Sequence, residues 1–294
     1  MKPATEFDSL SDIVRYCHKH NKDLAQAMVD YEMETKNIAR DHVYEGLEKT
    51  LRVMEESVTH GLTQLVITPS GMLNNWAKAI YNAPVETLGG MLKKAVARAV
   101  AVGEVNACMG RIAAAPTAGS AGIMPAVLVT MMEEHTIPRE KLLDGLLVAS
   151  AVGLIFAKNS SFAGSEAGCM GETGSAAAMA AAAIVYLLGG TEDQILEAVG
   201  FALKASMGLV CDPVAGLVEE PCTTRNAVGT ANAFVSAQMA LAGIKSLIPA
   251  DEVIQATKEV GDLMSPRLKE SGQGGLANTK TGREIQKRVF KIAE

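Results

Sequence analysis

The sequence has 294 residues, of which 48 % are apolar and 4 % aromatic, and its formal net charge at pH 7 is −6. This apolar content is enough to bury a substantial core, which excludes a mostly disordered chain. The acidic balance, with a pI of about 5.5, and the absence of a Lys/Arg run with interleaved aromatic residues argue against nucleic acid as a partner.

The N-terminal part predicts amphipathic helices. Ser9 to Asp12 resembles a capping box before the stretch IVRYCHKH, and Asn21 is placed to cap a second helix. A third helix is predicted to end at Gly61, since glycine commonly follows a helix C-terminus. The first residues, MKPATEFDSLSDIV, carry acids where a secretory signal has a basic start and an apolar run, so we expect a cytoplasmic protein.

Two apolar stretches in the middle of the chain, residues 142–157 and 174–190, predict central core helices. Each is shorter than the roughly 20 residues that a bilayer requires. The first contains Asp144 and the second is mostly alanine, so neither is expected to enter a membrane. Thr191 to Gln194 forms another capping box and predicts the start of the next helix.

Further helical patterns follow residue 222 and Pro249 and close the chain, so the sequence predicts an all-α fold. We expect a single compact multi-helix domain in which Gly-rich loops carry the functional residues. Residues 1–60 are predicted to be an N-terminal helical segment packed on the core, and residues 61–294 the main domain.

Three irregular segments interrupt the helices: residues 115–122 (APTAGSAG), 159–175 (NSSFAGSEAGCMGETGS) and 211–226 (CDPVAGLVEEPCTTRN). Connections rich in Gly, Ser and Thr between buried helices carry backbone amides that need partners, and such connections often hold ligands. The same glycines also permit turns and close helix contacts. Composition alone leaves both interpretations open.

The sequence contains five cysteines, an odd number, which argues against a disulfide framework in a chain of this size. Cys17 and Cys108 lie within helical patterns and are expected to be small buried apolar residues. Cys169, Cys211 and Cys222 lie in irregular segments instead. Their spacing matches neither the paired-cysteine turn of zinc sites nor that of ferredoxins. From these residues alone, metal ligation and ordinary packing both stay open.

Three long stretches in order carry a resemblance to a known family. They are Glu104 to Val127, NSSFAGSEAGCMGETGSAAAMAAA and CDPVAGLVEEPCTTRNAVG. Together they resemble the alpha subunit, or catalytic domain, of the iron–sulfur-dependent L-serine dehydratases (L-serine ammonia-lyases). The resemblance extends from about residue 60 to the segment GGLANTKTG, which includes most of the predicted main domain.

This resemblance implies an all-α catalytic domain and a [4Fe-4S] cluster held by the thiolates of Cys169, Cys211 and Cys222. The family's reaction eliminates water from L-serine and gives pyruvate and ammonia. With three protein ligands, one iron stays open to act as a Lewis acid on the β-hydroxyl group. No cysteine follows position 222, so we expect no fourth thiolate and an oxygen-sensitive cluster.

Candidate substrate contacts flank the three cysteines in the matching stretches. The one arginine among them could form a bidentate pair with the substrate carboxylate, or it could form a structural salt bridge within the chain. The hydroxyl groups could bind substrate or cap helices. The candidates are Thr117, Ser120, Asn159, Ser160, Ser161, Glu166, Thr223, Arg225 and Asn226.

The resemblance also implies a partner. The family's serine-binding Ser-Ser-His-Thr type loop, which offers a candidate general base, does not occur in this sequence. The histidines at positions 18, 20, 42, 60 and 135 lie outside the matching stretches and are expected to be solvated. We therefore expect a separate beta subunit, and the general base stays unassigned.

Three alternatives stand beside this hypothesis. A related iron–sulfur lyase could act on another small amino acid such as L-cysteine. A pyridoxal-phosphate enzyme would need a Schiff-base lysine and a Gly-rich phosphate cup in an α/β pattern. Lys158 is the only lysine near such a stretch, and the strands are missing. A non-catalytic helical metal-binding scaffold is the alternative from a different class, and it would be colourless without iron.

Overall fold

The computed structural model describes residues 5–84 and 87–291. Over these ranges the chain forms α-helices joined by short 3₁₀ and π turns, with two isolated β-bridges and no β-strand, which confirms the all-α prediction. The helices are α1 Leu10–His20, α2 Leu24–Lys36, α3 Arg40–Thr63, α4 Trp76–Tyr81, α5 Gly90–Ala107, α6 Ile123–Glu134, α7 Arg139–Asn159, α8 Gly164–Cys169, α9 Ser175–Leu187, α10 Glu192–Ser206, α11 Cys222–Leu241, α12 Ala250–Leu263 and α13 Lys280–Phe290.

The predicted caps of the first helices are partly confirmed. The Ser9 hydroxyl accepts a hydrogen bond from the Asp12 amide at 3.0 Å and begins α1. The prediction that Asn21 caps α2 is wrong. Asn21 ends α1 instead, in the left-handed conformation that asparagine tolerates, while Asp23 and Gln26 form the capping box of α2.

The predicted end of α3 at Gly61 is also wrong, because the helix continues to Thr63. The glycine serves a tertiary contact there. A Cβ atom at Gly61 would lie 2.4 Å from the carbonyl oxygen of Ala101 in α5. The absence of a side chain lets the main chains of α3 and α5 approach closely.

Helices α7 and α9 form the centre of the core, as the apolar stretches predicted. Among the described residues, Gly164–Leu187 is the one stretch long and apolar enough to cross a membrane by length and composition. However, 89 % of its most apolar window is buried inside the fold. Burial of this kind is typical of a core helix.

The N-terminal helices share the central core. Apolar side chains of α1 and α2 lie in the same cluster of buried residues as those of α7 and α9. Residue 60 lies inside α3, near its C-terminal end. The division into residues 1–60 and 61–294 stays a prediction.

Helix α11 brings the three irregular segments together. It contacts the 3₁₀ turn Ala118–Ser120 of the first segment and the π turn Met170–Gly174 of the second. The third segment includes the first residue of α11, Cys222, and its first turn. The start of α11 therefore brings side chains from distant parts of the sequence close together.

The contact at Gly61 predicts a stability difference between two glycines of α3. Gly61→Ala should destabilise the chain by about 1–3 kcal/mol, because the new methyl group meets main-chain atoms of α5. Gly46→Ala is the matched control, since a Cβ atom there would have nothing within 4 Å. It should stabilise the chain by about 0.5–1 kcal/mol. Urea unfolding of the full chain measures both, and equal effects would contradict the proposed close contact.

Candidate functional site

A break in the helix places Cys169. Gly168, near the end of α8, adopts φ 64° and ψ −171°, a conformation open to glycine but not to other residues. The π turn that leads into α9 follows directly after Cys169. A Cβ atom at Gly168 would lie 2.7 Å from the carbonyl oxygen of Leu209. The chain therefore packs tightly here, and the Cys169 side chain is buried. π turns of this kind occur frequently at functional sites.

The C-terminal segment holds Cys211. The Cys211 amide donates to the carbonyl oxygen of Leu268 at 2.9 Å, and the Glu270 amide donates to the carbonyl oxygen of Cys211 at 2.7 Å. These bonds form the isolated bridge between Cys211 and Lys269. The loop that Cys211 begins is therefore attached at its first residue, and at its other end it becomes α11.

Two of the three predicted ligands meet at one carboxylate. The Sγ atoms of Cys169 and Cys211 each lie 3.8 Å from Oε2 of Glu172. The two sulfurs and a carboxylate oxygen lie within 4.8 Å of one another, so these three residues could hold a metal ion. Cys222 is buried but lies outside this set. Burial, together with the charges of Cys169 and Glu172, raises the pKa of the Cys222 thiol.

Glu172 is a site residue that the sequence reasoning missed. Thr117 donates a hydrogen bond to its Oε1 at 3.0 Å. A Cβ atom at Gly119 or Gly164 would lie 3.0 Å from one of its carboxylate oxygens. Burial raises the pKa of this carboxyl group. The available signal was an acid in the otherwise small and apolar stretch CMGETGSAAA.

Arg225 bonds to the Cys169 thiol and to the two residues that flank Cys211. Its Nη1 donates to Cys169 Sγ at 3.3 Å and to the carbonyl oxygen of Val210 at 2.8 Å, and its Nη2 donates to Asp212 Oδ1 at 2.7 Å. A hydrogen bond with Cys211 and, against the effect of burial, the charge of Arg225 lower the pKa of Cys169. The same bond and burial raise the pKa of Cys211. Of the two thiols, Cys169 therefore loses its proton more readily.

Asp212 extends this arrangement to the C-terminal segment. Its Oδ2 accepts a hydrogen bond from the Leu276 amide at 2.7 Å. Gly275 has φ 60°, and a Cβ atom there would lie 2.2 Å from Oδ2 of Asp212. The guanidinium group of Arg225 forms a salt bridge with this same carboxylate. A structural salt bridge was one of the two interpretations that the sequence left open for Arg225. Its role toward a substrate carboxylate stays a prediction.

Three further predicted residues lie beside Glu172 or connect the segments around it. Thr117 and Ser120 share a hydrogen bond of 3.1 Å beside the carboxylate. The side-chain amide of Asn226 donates to the carbonyl oxygens of Gly119 and Cys222, both at 2.7 Å. It thereby attaches the PTAGS turn to the first turn of α11.

The other predicted substrate contacts engage different neighbours. The Asn159 amide donates to main-chain carbonyls of α7 and of the N-terminal segment. The Ser161 hydroxyl accepts from a main-chain amide two residues on, and Glu166 is exposed. The hydroxyls of Ser160 and Thr223 are buried and have no hydrogen-bond partner within the described ranges. No hydrogen bond joins these five to the thiols in that part of the chain, and their substrate roles stay predictions.

The five histidines are exposed, as predicted. Each lies on a helix or at a helix end in the part of the chain that the structure describes. None belongs to the donor set of Cys169, Glu172 and Cys211.

The family model described as "Serine dehydratase alpha chain" matches residues 19–277. This chain belongs to that family. The match begins well before residue 60, so it includes most of the N-terminal helices that the motif resemblance left out. The three irregular segments around Cys169, Cys211 and Glu172 all lie inside the matched range.

The chain is similar to several curated members of the serine dehydratase family. It is 44 % identical over 283 residues to "L-serine dehydratase, alpha chain" of Peptoniphilus asaccharolyticus, covering 95 % of this chain and 97 % of the relative. It is 43 % identical over 287 residues to "Probable L-serine dehydratase, alpha chain" of Bacillus subtilis, covering 97 % and 95 %. "L-serine dehydratase" of Streptomyces coelicolor is 36 % identical over 281 residues, but the match covers only 60 % of that longer protein.

The contact between Gly275 and Asp212 predicts a local effect on the Cys211 loop. Gly275→Ala should cost about 1–2 kcal/mol for its left-handed backbone, and the added methyl group should also displace Asp212 from the Leu276 amide. We expect faster alkylation of Cys211 in the native chain, located by peptide mass spectrometry.

Gly272→Ala is the matched control for this effect. Gly272 also has a positive φ, of 66°, but a Cβ atom there would have nothing within 4 Å. The control should show the backbone cost alone and leave the alkylation rate of Cys211 unchanged. Equal alkylation rates in the two variants would contradict a positioning role for the Asp212 contact.

Proposed function

We propose that this chain is the alpha chain of an L-serine dehydratase, a lyase that converts L-serine into pyruvate and ammonia. One observation carries the proposal: the thiols of Cys169 and Cys211 converge with the carboxylate of Glu172 within 4.8 Å in the segments that match the family. The names of relatives that align over nearly their whole length support the substrate.

We further propose a [4Fe-4S] cluster with Cys169, Cys211 and Cys222 as its thiolate ligands. The donor chemistry fits, since such clusters are held by cysteine thiolates. Cys169 and Cys211 already face a common carboxylate, and Cys222 begins the helix that carries Arg225. When bound, the cluster supplies a Lewis acid that stabilises negative charge on the departing hydroxyl group, worth several kcal/mol.

Residues around the thiols would stabilise the thiolate ligands and bind a polar substrate. Arg225 stabilises the thiolate of Cys169, and its pairing with Asp212 fixes the position of the guanidinium group. Thr117 and Ser120 present hydroxyl groups beside Glu172, an arrangement suited to hydrogen bonding with a small amino acid. Burial of the thiols limits the access of water.

A separate beta subunit completes the proposed enzyme, in the cytoplasm. The matched alpha chains have nearly the length of this chain, whereas the Streptomyces coelicolor relative extends well beyond the match. The beta subunit would supply the group that removes the Cα proton. This assignment agrees with the exposure of all five histidines, none of which belongs to the donor set.

Cysteine variants test the proposed function. The alpha chain is expressed without oxygen together with a beta subunit, and pyruvate formation from L-serine is measured beside iron and sulfide content. Serine substitution at Cys169, Cys211 or Cys222 should remove most of the iron and the activity. Cys108→Ser is the matched control, since Cys108 is a half-buried thiol outside the donor set, and it should retain both.

Other results would redirect the assignment. Faster turnover of L-cysteine than of L-serine would identify a related lyase with a different substrate. A wild-type complex that takes up no iron under reconstitution and forms no pyruvate would contradict the lyase function and leave a helical scaffold.

Oxygen should inactivate the enzyme by damaging the cluster. With three thiolates, the open iron is accessible to oxygen, so air exposure should lower the visible absorption and the activity in parallel. Addition of ferrous iron, sulfide and a reductant should restore both. Full activity of a colourless, iron-free preparation would contradict the proposed cofactor.

A further inference from the structure

Glu172 has no assigned part in the proposed elimination, although its carboxylate lies between two thiols. Its Oε2 is equidistant from the sulfurs of Cys169 and Cys211, at 3.8 Å from each. Two sulfurs and a carboxylate oxygen are ligands that a single zinc-like cation accepts. Such a cation site would differ in its ligands from the three-cysteine cluster site.

The distances fit a single tetrahedral ion. A zinc–sulfur bond of about 2.3 Å and a zinc–oxygen bond of about 2.1 Å at the tetrahedral angle place sulfur and oxygen about 3.6 Å apart. The two observed separations are 3.8 Å. Both sulfur–oxygen separations therefore lie close to those of a coordinated ion, and the two sulfurs lie within 4.8 Å of each other.

The carboxylate is held in place by groups outside the donor set. Thr117 donates to its other oxygen, Oε1, at 3.0 Å. The glycines at 119 and 164 pack against the carboxylate, and a Cβ at Gly164 would also lie 2.8 Å from Cys211 Sγ. Ligands whose positions are fixed by neighbours in this way lose little conformational freedom on binding a metal.

The electrostatics also favour a cation. As metal ligands, two thiolates and a carboxylate carry a charge of −3, which a buried setting tolerates only when a cation compensates it. Arg225 contacts Cys169, but its guanidinium group is also paired with Asp212. A divalent ion would compensate most of the remaining charge, and the protons displaced from the donors would pass to solvent.

We propose that Cys169, Glu172 and Cys211 form a binding site for one thiophilic divalent cation, such as Zn²⁺, Co²⁺ or Fe²⁺, in the chain that lacks its cluster. Cys222 is not a ligand of this ion. A cation bound there occupies two of the three thiols assigned to the cluster, so it competes with cluster assembly. Cation binding at this site does not depend on lyase activity.

Cobalt binding tests the site directly. The full-length chain is reduced, freed of metal and titrated with Co²⁺ while sulfur-to-cobalt charge-transfer absorption and the intensity of tetrahedral ligand-field bands are recorded. Glu172→Gln keeps the size of the side chain and an acceptor for Thr117 but removes the anionic donor. It should raise the Kd by about tenfold or more, the loss typical even of groups that only orient a metal ligand.

Two control variants separate this site from a three-thiolate site. Cys222→Ser should leave the Co²⁺ affinity and spectrum unchanged, although the same variant is expected to lose the cluster. Glu259→Gln removes an exposed acid on α12 and should also have no effect. If Cys222→Ser weakens cobalt binding while Glu172→Gln does not, the ion is held by three thiols and the proposal is wrong.

A second variant guards against a folding defect in Glu172→Gln. Gly164→Ala leaves every donor in place but adds a methyl group 2.8 Å from Cys211 Sγ and 3.0 Å from Glu172 Oε2. It should weaken Co²⁺ binding with the helical circular dichroism unchanged. If Gly164→Ala binds Co²⁺ as tightly as the wild type, the proposal that the donors are already positioned for a cation is wrong. Because these assays use no substrate, failure of the cation site and failure of the serine dehydratase assignment are distinguishable.

Discussion

The guanidinium group of Arg225 is the interaction on which the arrangement of the site depends. Its side chain is only 13 % exposed, and a buried charge is tolerated only with well-placed partners. Those partners come from different segments: Cys169 from the turn before α9, and Val210 and Asp212 from the loop before α11. One buried charge therefore joins the turn that carries Cys169 to the residues on both sides of Cys211.

The rest of the site extends outward from this arginine. Asp212 links it to the C-terminal segment through the Leu276 amide, and the adjacent residue of α11, Asn226, holds the PTAGS turn. Glycines let these segments approach, as at Gly164, where any side chain would meet Cys211 and Glu172. The helical core supplies a rigid frame, and the irregular segments supply the polar groups. The core and the irregular segments together place thiols, hydroxyl groups and a carboxylate in one site.

Much of the fold could be predicted from the sequence, because helices leave local signals. The cap at Ser9 and the capping box at Thr191 depend on residues three positions apart, and both are present. Gly61 misled the prediction because its role lies in a contact with α5 rather than in its own helix. Glu172 escaped notice for the same reason, since its main partner, Thr117, lies 55 residues away in the sequence. The roles of Gly61 and Glu172 depend on contacts with residues distant in the sequence, and a single sequence does not show such contacts.

The proposed cofactor site requires that Cys169, Cys211 and Cys222, from two segments of the chain, hold one iron–sulfur cluster. The most direct measurement is an anomalous difference map at the iron absorption edge, from crystals of the chain grown and frozen without oxygen. The account predicts iron peaks beside all three cysteines, with one iron at bonding distance from each of the sulfurs of Cys169, Cys211 and Cys222. Iron-replete crystals without such peaks, or with Cys222 remote from the metal, would contradict it.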